Sequence, residues 1–438
     1  MNNLKAFLFA LFMASLLVPK SYAQSKDTKK ADEIFHYCHY FDAIDFYKNA
    51  LDKETDKKEK PKIMFKVAQC YRLMHDTKNA EIWYKKAMLA NCTDHMATLY
   101  YADMLLANGK VDEASAQYSA YLALEPSDEL GLKGAESCKL AAQWKTAPAP
   151  YDVVNCSSIN TRDDEYAPCF YNLKYNALIF SSSRDGSIGE YYSLVNGQCA
   201  PDIYLSMVDK TGKWGVPASV SKNINTKNGE SDACVFFSER SATSTPSELF
   251  FARSIIEKTK KQISHIYVAP LKGGSTTEWD TPILIPIAAD TVNCSNPCIT
   301  ADGLTLYFSS DMPGGQGGMD LWMIKRKNNN AAWGDPINLG KNINTAGDEV
   351  YPYLSVGNDT LYFSSNGLPG MGGLDIFMAV RKGDSWDTPV NMKYPINSSN
   401  DDLGIIFQNS KKGYFSSNRP GGKGGFDIYL FSPATTQH

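Results

Sequence analysis

The chain has 438 residues and a formal net charge of −4, with 43% hydrophobic and 21% charged residues. That length allows two or three domains, and the composition is that of a globular protein. The faintly acidic balance excludes the basic stripe that nucleic acid binding requires.

The N-terminus reads as a secretory leader. Lys5 is followed by the apolar stretch Ala6–Val18, and Ser21-Tyr22-Ala23 is a small-residue cleavage site. The apolar run is shorter than the about 20 residues that span a bilayer, and no later run is long enough. No cysteine follows the cleavage site closely, which argues against a lipid anchor. Residues 1–23 are therefore expected to be a signal peptide, and the protein to be exported, to the periplasm beside the outer membrane or to the cell surface.

Residues 61–94 and 95–128 are adjacent 34-residue blocks with matching small and aromatic positions. Ala68 and Ala80 recur as Ala102 and Ala114, and Tyr84 recurs as Tyr118. Small residues at these places let antiparallel helices approach closely, and the period is that of tetratricopeptide repeats. A looser unit covers about 27–60. A capping helix is expected over Glu129–Trp144, with Ser127 or Asp128 as its N-cap. Ala147-Pro148-Ala149-Pro150 then breaks the helical signal.

From residue 151 the pattern is β. Leu306-Tyr-Phe-Ser-Ser310 leads through Pro313-Gly-Gly-Gln-Gly-Gly318 to Asp320-Leu-Trp322, and the same motif returns near 361–377 and 413–429. Degenerate copies surround Asp202 and His265. A Trp-x-x-Pro landmark follows four of the hairpins, at Trp214, Trp279, Trp333 and Trp386. Units of about four short strands, spaced 52 to 63 residues apart, are propeller blades. The last hairpin lacks its outer strand, and Tyr151–Asn155 supplies one, so the N-terminal strand is expected to complete the last blade. Five blades are expected; a sixth inside the long second unit is the alternative. The fold class is thus α + β multidomain, a helical solenoid (24–146), a linker (147–150), an all-β propeller (151–433) and a short tail (434–438).

These repeats resemble the WD-like propellers of periplasmic proteins, related to TolB-type propellers. Helical repeats followed by such a propeller are similar to a Bacteroidota group of envelope proteins, some of them components of type IX secretion and gliding machinery. The resemblance implies a non-catalytic interaction scaffold that binds envelope proteins through its helical groove and a propeller face. Secretion-linked members usually carry a C-terminal OmpA-type domain, absent here, so direct peptidoglycan anchoring is not implied.

The residues themselves leave a second reading open. Asp163, Asp164, Glu165, Glu230, Asp232, Glu349, Asp401 and Asp402 precede the inner strands and are expected near one mouth of the channel. They would suit a glycan-binding or glycan-active site, such as a lyase or glycosidase, or a calcium site; solvated turn residues are the bland alternative, and no cofactor or metal is expected. Asp202, Asp320, Asp375 and Asp427 recur once per blade, so they read as anchors for the glycine loops; a catalytic pair must converge at one point. No serine-hydrolase elbow is present. Among the ten cysteines, Cys294–Cys298 and Cys156–Cys169 are the disulfide candidates, and no histidine clusters with them to suggest zinc.

Overall fold

A computed structural model describes residues 25–190, 192–238, 245–256, 261–273 and 275–435. The expected leader lies outside them. Seven helices come first: α1 Lys26–His36, α2 Tyr40–Lys53, α3 Lys60–Leu73, α4 Thr77–Leu89, α5 Met96–Ala107, α6 Val111–Leu122 and α7 Glu129–Thr146. Each packs on its neighbour in sequence. Ala68, Ala80, Ala102 and Ala114 are fully buried between helices, while Tyr84 and Tyr118 fill the grooves beside them. Asp128 caps α7 by accepting the Gly131 N–H. None of the described helices is long and apolar enough to cross a membrane.

Five antiparallel sheets follow. The chain enters through β1 (Tyr151–Asn155). Blade 1 holds β2 Glu165–Phe170, β3 Ala177–Ser182, β4 Asp202–Met207 and β5 Ala218–Ser219; blade 2 holds β6 Gly229–Phe236, β7 Glu248–Ile256, β8 Gln262–Pro270 and β9 Ile283–Leu284. Blade 3 holds β10 Cys294–Ile299, β11 Thr305–Ser310, β12 Asp320–Lys325 and β13 Ile337–Asn338. Blade 4 holds β14 Glu349–Leu354, β15 Thr360–Ser365 and β16 Asp375–Lys382, with β17 Ser385–Trp386 and β18 Val390–Asn391 both pairing with β16. Blade 5 holds β19 Asp402–Asn409, β20 Lys412–Ser417 and β21 Asp427–Pro433, and β1 is its outer strand, with Val153 opposite Phe431. The propeller has five blades, and β1 closes the ring.

The recurring residues join one blade to the next. Asn225, Asn344, Asn397 and Asn160 are buried, and each side chain both accepts from the N–H and donates to the C=O of one residue in the third strand of the preceding blade: Ile203, Leu321, Ile376 and Ile428. The aspartates that start those strands hold the loops before them. Asp375 Oδ2 accepts from Met371 N at 2.6 Å, and Asp202 Oδ2 from Ile188 N at 3.0 Å. The loop glycines are steric necessities: a Cβ on Gly372 would lie 1.7 Å from the Ser399 carbonyl oxygen.

The helical array rests on the loops of blades 4 and 5. His75 meets Asp401, Ser137 accepts from the Gly370 N–H, Lys133 donates to the Asn366 carbonyl, and Met371 is buried in the helical core. Phe41 lies over Gly197 in a loop of blade 1.

Candidate functional site

Each inner strand carries a bulge at the same place, and the residue there has positive φ: Ala167 (52°), Asp232 (57°), Asn296 (51°), Tyr351 (54°) and Gly404 (64°); β19 has a second irregularity between Phe407 and Asn409. A bulge adds one residue opposite its partner strand and re-aims side chains. These five equivalent positions form a girdle in the ring of inner strands. Serine hydroxyls of the neighbouring blade take two of the girdle N–H groups, Ser416 that of Ala167 and Ser181 that of Asp232.

Two cavities meet at the girdle, and Tyr351 lines both. The upper one, about 220 Å³, is walled mainly by hydroxyls, amides and rings, among them Ser183, Ser231, Asn196, Gln262, Tyr166 and Phe426. The lower one, about 290 Å³, is walled mainly by aliphatic, aromatic and thiol groups. Among the described residues neither wall carries a Lys, Arg or His.

Two residues beyond each bulge comes a second ring: Cys169, Cys234, Cys298, Tyr353 and Ile406. The backbone N–H of the next blade faces each of the first four, Val235 for Cys169, Ile299 for Cys234, Leu354 for Cys298 and Phe407 for Tyr353. Burial pushes the Cys169 thiol up to about 12 and Cys298 to about 11, so these are unreactive thiols. Among the described residues no three His, Cys, Asp or Glu side chains are placed to share a metal ion.

The eight acids expected at one mouth fall into separate roles. Glu165, Glu230, Glu349 and Asp402 are fully buried, two residues before the girdle. Each accepts from the N–H and hydroxyl of the residue four positions earlier, Thr161, Thr226, Thr345 or Ser398. Three of them also pair with a nearly buried arginine, Arg184, Arg253 or Arg419. Asp164 and Asp401 bind the N–H of Phe426 and Leu374, tying each loop to the blade before it. Asp163 stands at the surface beside Arg162. Only Asp232, in the lower cavity, and Asp164, in the upper, line the axial space.

Asp232 is held within the girdle itself, accepting from the Asn296 N–H and amide and from the Ser231 and Tyr351 hydroxyls. It is 7% exposed, and its Oδ1 has no hydrogen-bond partner among the described residues. Burial pushes its carboxyl up to about 6, against the opposing contacts of Ser231, Asn296 and the Tyr351 hydroxyl. Gln262, in the upper wall, likewise has a buried Oε1 without a partner among the described residues. Asn296 and Tyr351 are site residues that the motif reading passed over. The signal for them was their place: two positions after Glu349 in blade 4 and after Cys294, which stands where the acid recurs, in blade 3.

The disulfide candidates are not formed. Cys294, Cys298, Cys156 and Cys169 are all free thiols. Cys294 and Cys298 lie on one strand, opposite Ser310 and Tyr307, and the Cys294 sulfur is 3.6 Å from the Ser310 hydroxyl.

No family model and no curated protein matches this chain. Solved structures do. A thermostable family-43 glycoside hydrolase matches 64% of this chain and 92% of its own at 12% identity, with a TM-score of 0.43. The catalytic domain of a family-62 α-L-arabinofuranosidase from Coprinopsis cinerea matches 61% of this chain and 90% of its own at 8% identity, with a TM-score of 0.41. The C-terminal tetratricopeptide-containing domain of an FK506-binding protein from Plasmodium falciparum matches 28% of this chain and 87% of its own at 22% identity, with a TM-score of 0.24. The expectation of a non-catalytic scaffold, and with it the expectation that the chain is not an enzyme, is corrected: the solved structures similar to this chain include family-43 and family-62 glycosidases, and also a puromycin-hydrolysing peptidase from Mycobacterium tuberculosis that matches 64% of this chain and 39% of its own at 12% identity, with a TM-score of 0.32. Identities this low speak for the fold alone, so any activity must rest on the residues of the site.

Proposed function

We propose that the propeller is a glycan-active domain with its chemistry on the axis and Asp232 as the proton donor. The state of Asp232 carries this reading: it is buried in the girdle, faces no cation among the described residues of either cavity wall, and has an Oδ1 without a partner among them and a carboxyl raised to about 6. A carboxyl so raised can stay protonated in mildly acidic solution and give its proton to a glycosidic oxygen.

The upper cavity supports a sugar as ligand. It is smaller than the about 300–1,000 Å³ of drug-sized pockets, and its wall offers hydroxyls and amides at several heights. The Gln262 Oε1 calls for a donor such as a sugar hydroxyl. Tyr166 and Phe426, with ring centroids 6.4 Å apart, offer apolar faces for the C–H side of a sugar ring. Asp164 is the carboxyl of that wall, with Oδ1 engaged by the Phe426 N–H.

The helices are proposed to be tetratricopeptide units, which their paired packing and buried small residues support. Export through the leader read at residues 1–23, and kinship with Bacteroidota envelope propellers, belong to the same proposal and rest on the sequence motifs.

The test is turnover by the purified protein on arabinan, xylan, chitin and peptidoglycan oligosaccharides, with products separated by chromatography. Cleavage that disappears in a folded Asp232→Asn variant is the expected result. Cleavage that survives this change would remove Asp232 from the chemistry. The absence of both cleavage and binding across the panel would remove the glycan reading itself.

A further inference from the structure

We infer that the substrate is a glycoside with an apolar aglycone, its sugar above the girdle and its aglycone below. This rests on reading the axis as a glycan-active site and adds the class of leaving group.

The observation behind it is the contrast between two chambers that share one wall. Above the girdle the wall is hydroxyl and amide. Below it the rings of Phe170, Tyr353 and Phe407 stand among Cys169, Cys234 and Cys298, whose sulfurs are faced by the N–H groups of the next blade or strand. A second sugar in the lower chamber would give up water for a wall with few partners, at a cost for each unmatched hydroxyl. An alkyl or aryl group loses nothing there and gains by burial. The girdle is thinnest at Ala167 and Gly404, its smallest members; a Cβ on Gly404 would lie 3.4 Å from the Ala167 Cα. Asp232 sits in this narrow ring with its unpartnered oxygen, where the bond between sugar and aglycone would lie.

The reaction balances with water alone. The Asp232 carboxyl gives its proton to the glycosidic oxygen, and the bond from that oxygen to the anomeric carbon breaks, its electron pair leaving with the aglycone alcohol. Water adds to the anomeric carbon and returns a proton to the Asp232 carboxylate. The lower chamber reaches the surface beside Leu173 and Val356, 56% and 79% exposed, so the freed alcohol has a way out.

The test uses methyl, butyl and octyl β-D-glucosides and β-D-xylosides, whose leaving alcohols differ little in acidity. Each methylene buried in the lower chamber should raise kcat/KM about fourfold until the chamber is full. The double variant Leu173→Trp, Val356→Trp, changed at two exposed positions of the lower mouth, should flatten the series. In Asp232→Asn the same series is read as affinity by calorimetry, so the dependence on chain length is measured even where turnover is slow. A flat series in the unmodified protein, with turnover or sugar binding retained, overturns the aglycone inference and spares the glycan reading. A length dependence that the two tryptophans leave intact overturns the assignment to the lower chamber. Failure to bind or cleave any glycoside overturns both.

Discussion

The His75 Nδ1 of the helical array lies 2.8 Å from the Asp401 Oδ2 of the last blade, and half of the imidazole side chain remains exposed. The carboxylate beside it raises the His75 pKa against the opposing effect of burial, with Asp348 assisting and Arg72 opposing. Asp401 is held below its ordinary value: burial pushes it up, but His75, the Leu374 N–H and the Asn418 amide together outweigh that. Asp164 also feels the imidazole. One side chain thus couples the array to two blades.

The pair should therefore stabilise the docked array within a pH window. The His75 contribution is complete below its unfolded pKa near 6.5 and is lost as pH rises through its raised folded value. The Asp401 contribution is complete above its unfolded pKa near 3.9 and is lost as pH falls through its lowered folded value. At pH 5.5, His75→Ala should cost about 1 kcal/mol or less, since the pair is partly solvated. Denaturant midpoints measured at pH 5.5 and pH 9 check this; an equal cost at both would mean that packing, not charge, is lost.

Asp232 reverses the usual carboxylate rule. Its raised pKa means that the folded protein binds this proton more tightly than the unfolded chain, so stability falls as pH rises from about 4 to about 6. Above that window the ionised group costs about 3 kcal/mol, to order of magnitude. Asp232→Asn should accordingly raise the melting temperature at pH 7.5, with the gain vanishing near pH 4. A variant no more stable than the original at pH 7.5 would show that the carboxylate is already compensated.

Arg419 lies within hydrogen-bond reach of Asp402 and donates to the carbonyls of Pro395 and Ile396. Arg419→Met takes the cation from a buried carboxylate that then keeps only its Ser398 and Ser417 donors, and takes the donor from two carbonyls. A loss of about 3–5 kcal/mol is expected from chemical denaturation. Blade 3 has Cys294 where the other blades have their acid, so Cys294→Ala should cost much less, about 1 kcal/mol, measured in the same way.

How much of this was legible in the chain follows from what repeats and what does not. Asp320, Asp375 and Asp427, the glycine loops and the Asn of each Ile-Asn-Thr/Ser turn recur because every blade needs the same joints, and from them the blade count and the closing role of Tyr151–Asn155 could be read. Glu165, Glu230 and Glu349 recur for the same reason, yet their place before the inner strands fits an exposed rim equally well. The bulge decides between the two, and nothing in Glu230-Ser231-Asp232 announces it. A residue two positions on faces the axis only because the backbone there takes positive φ, a conformation unusual for Asp, Asn or Tyr. The ring of three cysteines was hidden likewise: nearness in sequence set Cys298 against Cys294 and Cys169 against Cys156, whereas the ring takes Cys169, Cys234 and Cys298 from three successive blades.

The closing strand should be sensitive to loss of its pairing. Val154→Pro removes an N–H facing β21, since Val154 lies opposite Leu430 in the same phase of the ladder as Cys156, whose N–H donates to the Ile428 carbonyl; a cost of about 3 kcal/mol is expected from thermal or denaturant unfolding, with added aggregation from the opened sheet edge. Unchanged stability would mean that the ring does not depend on this strand.

Asp152 in that strand accepts hydrogen bonds from Thr435, 283 positions later. The propeller is therefore sealed between its own first strand and its last. Until the final blade emerges, the closing strand waits without its partner, tethered by four residues to an array that docks on blades 4 and 5. Sealing the ring and seating the array should then occur as one late, cooperative event over a long chain separation, which is intrinsically slow. Refolding followed through both parts at once should show a single shared rate.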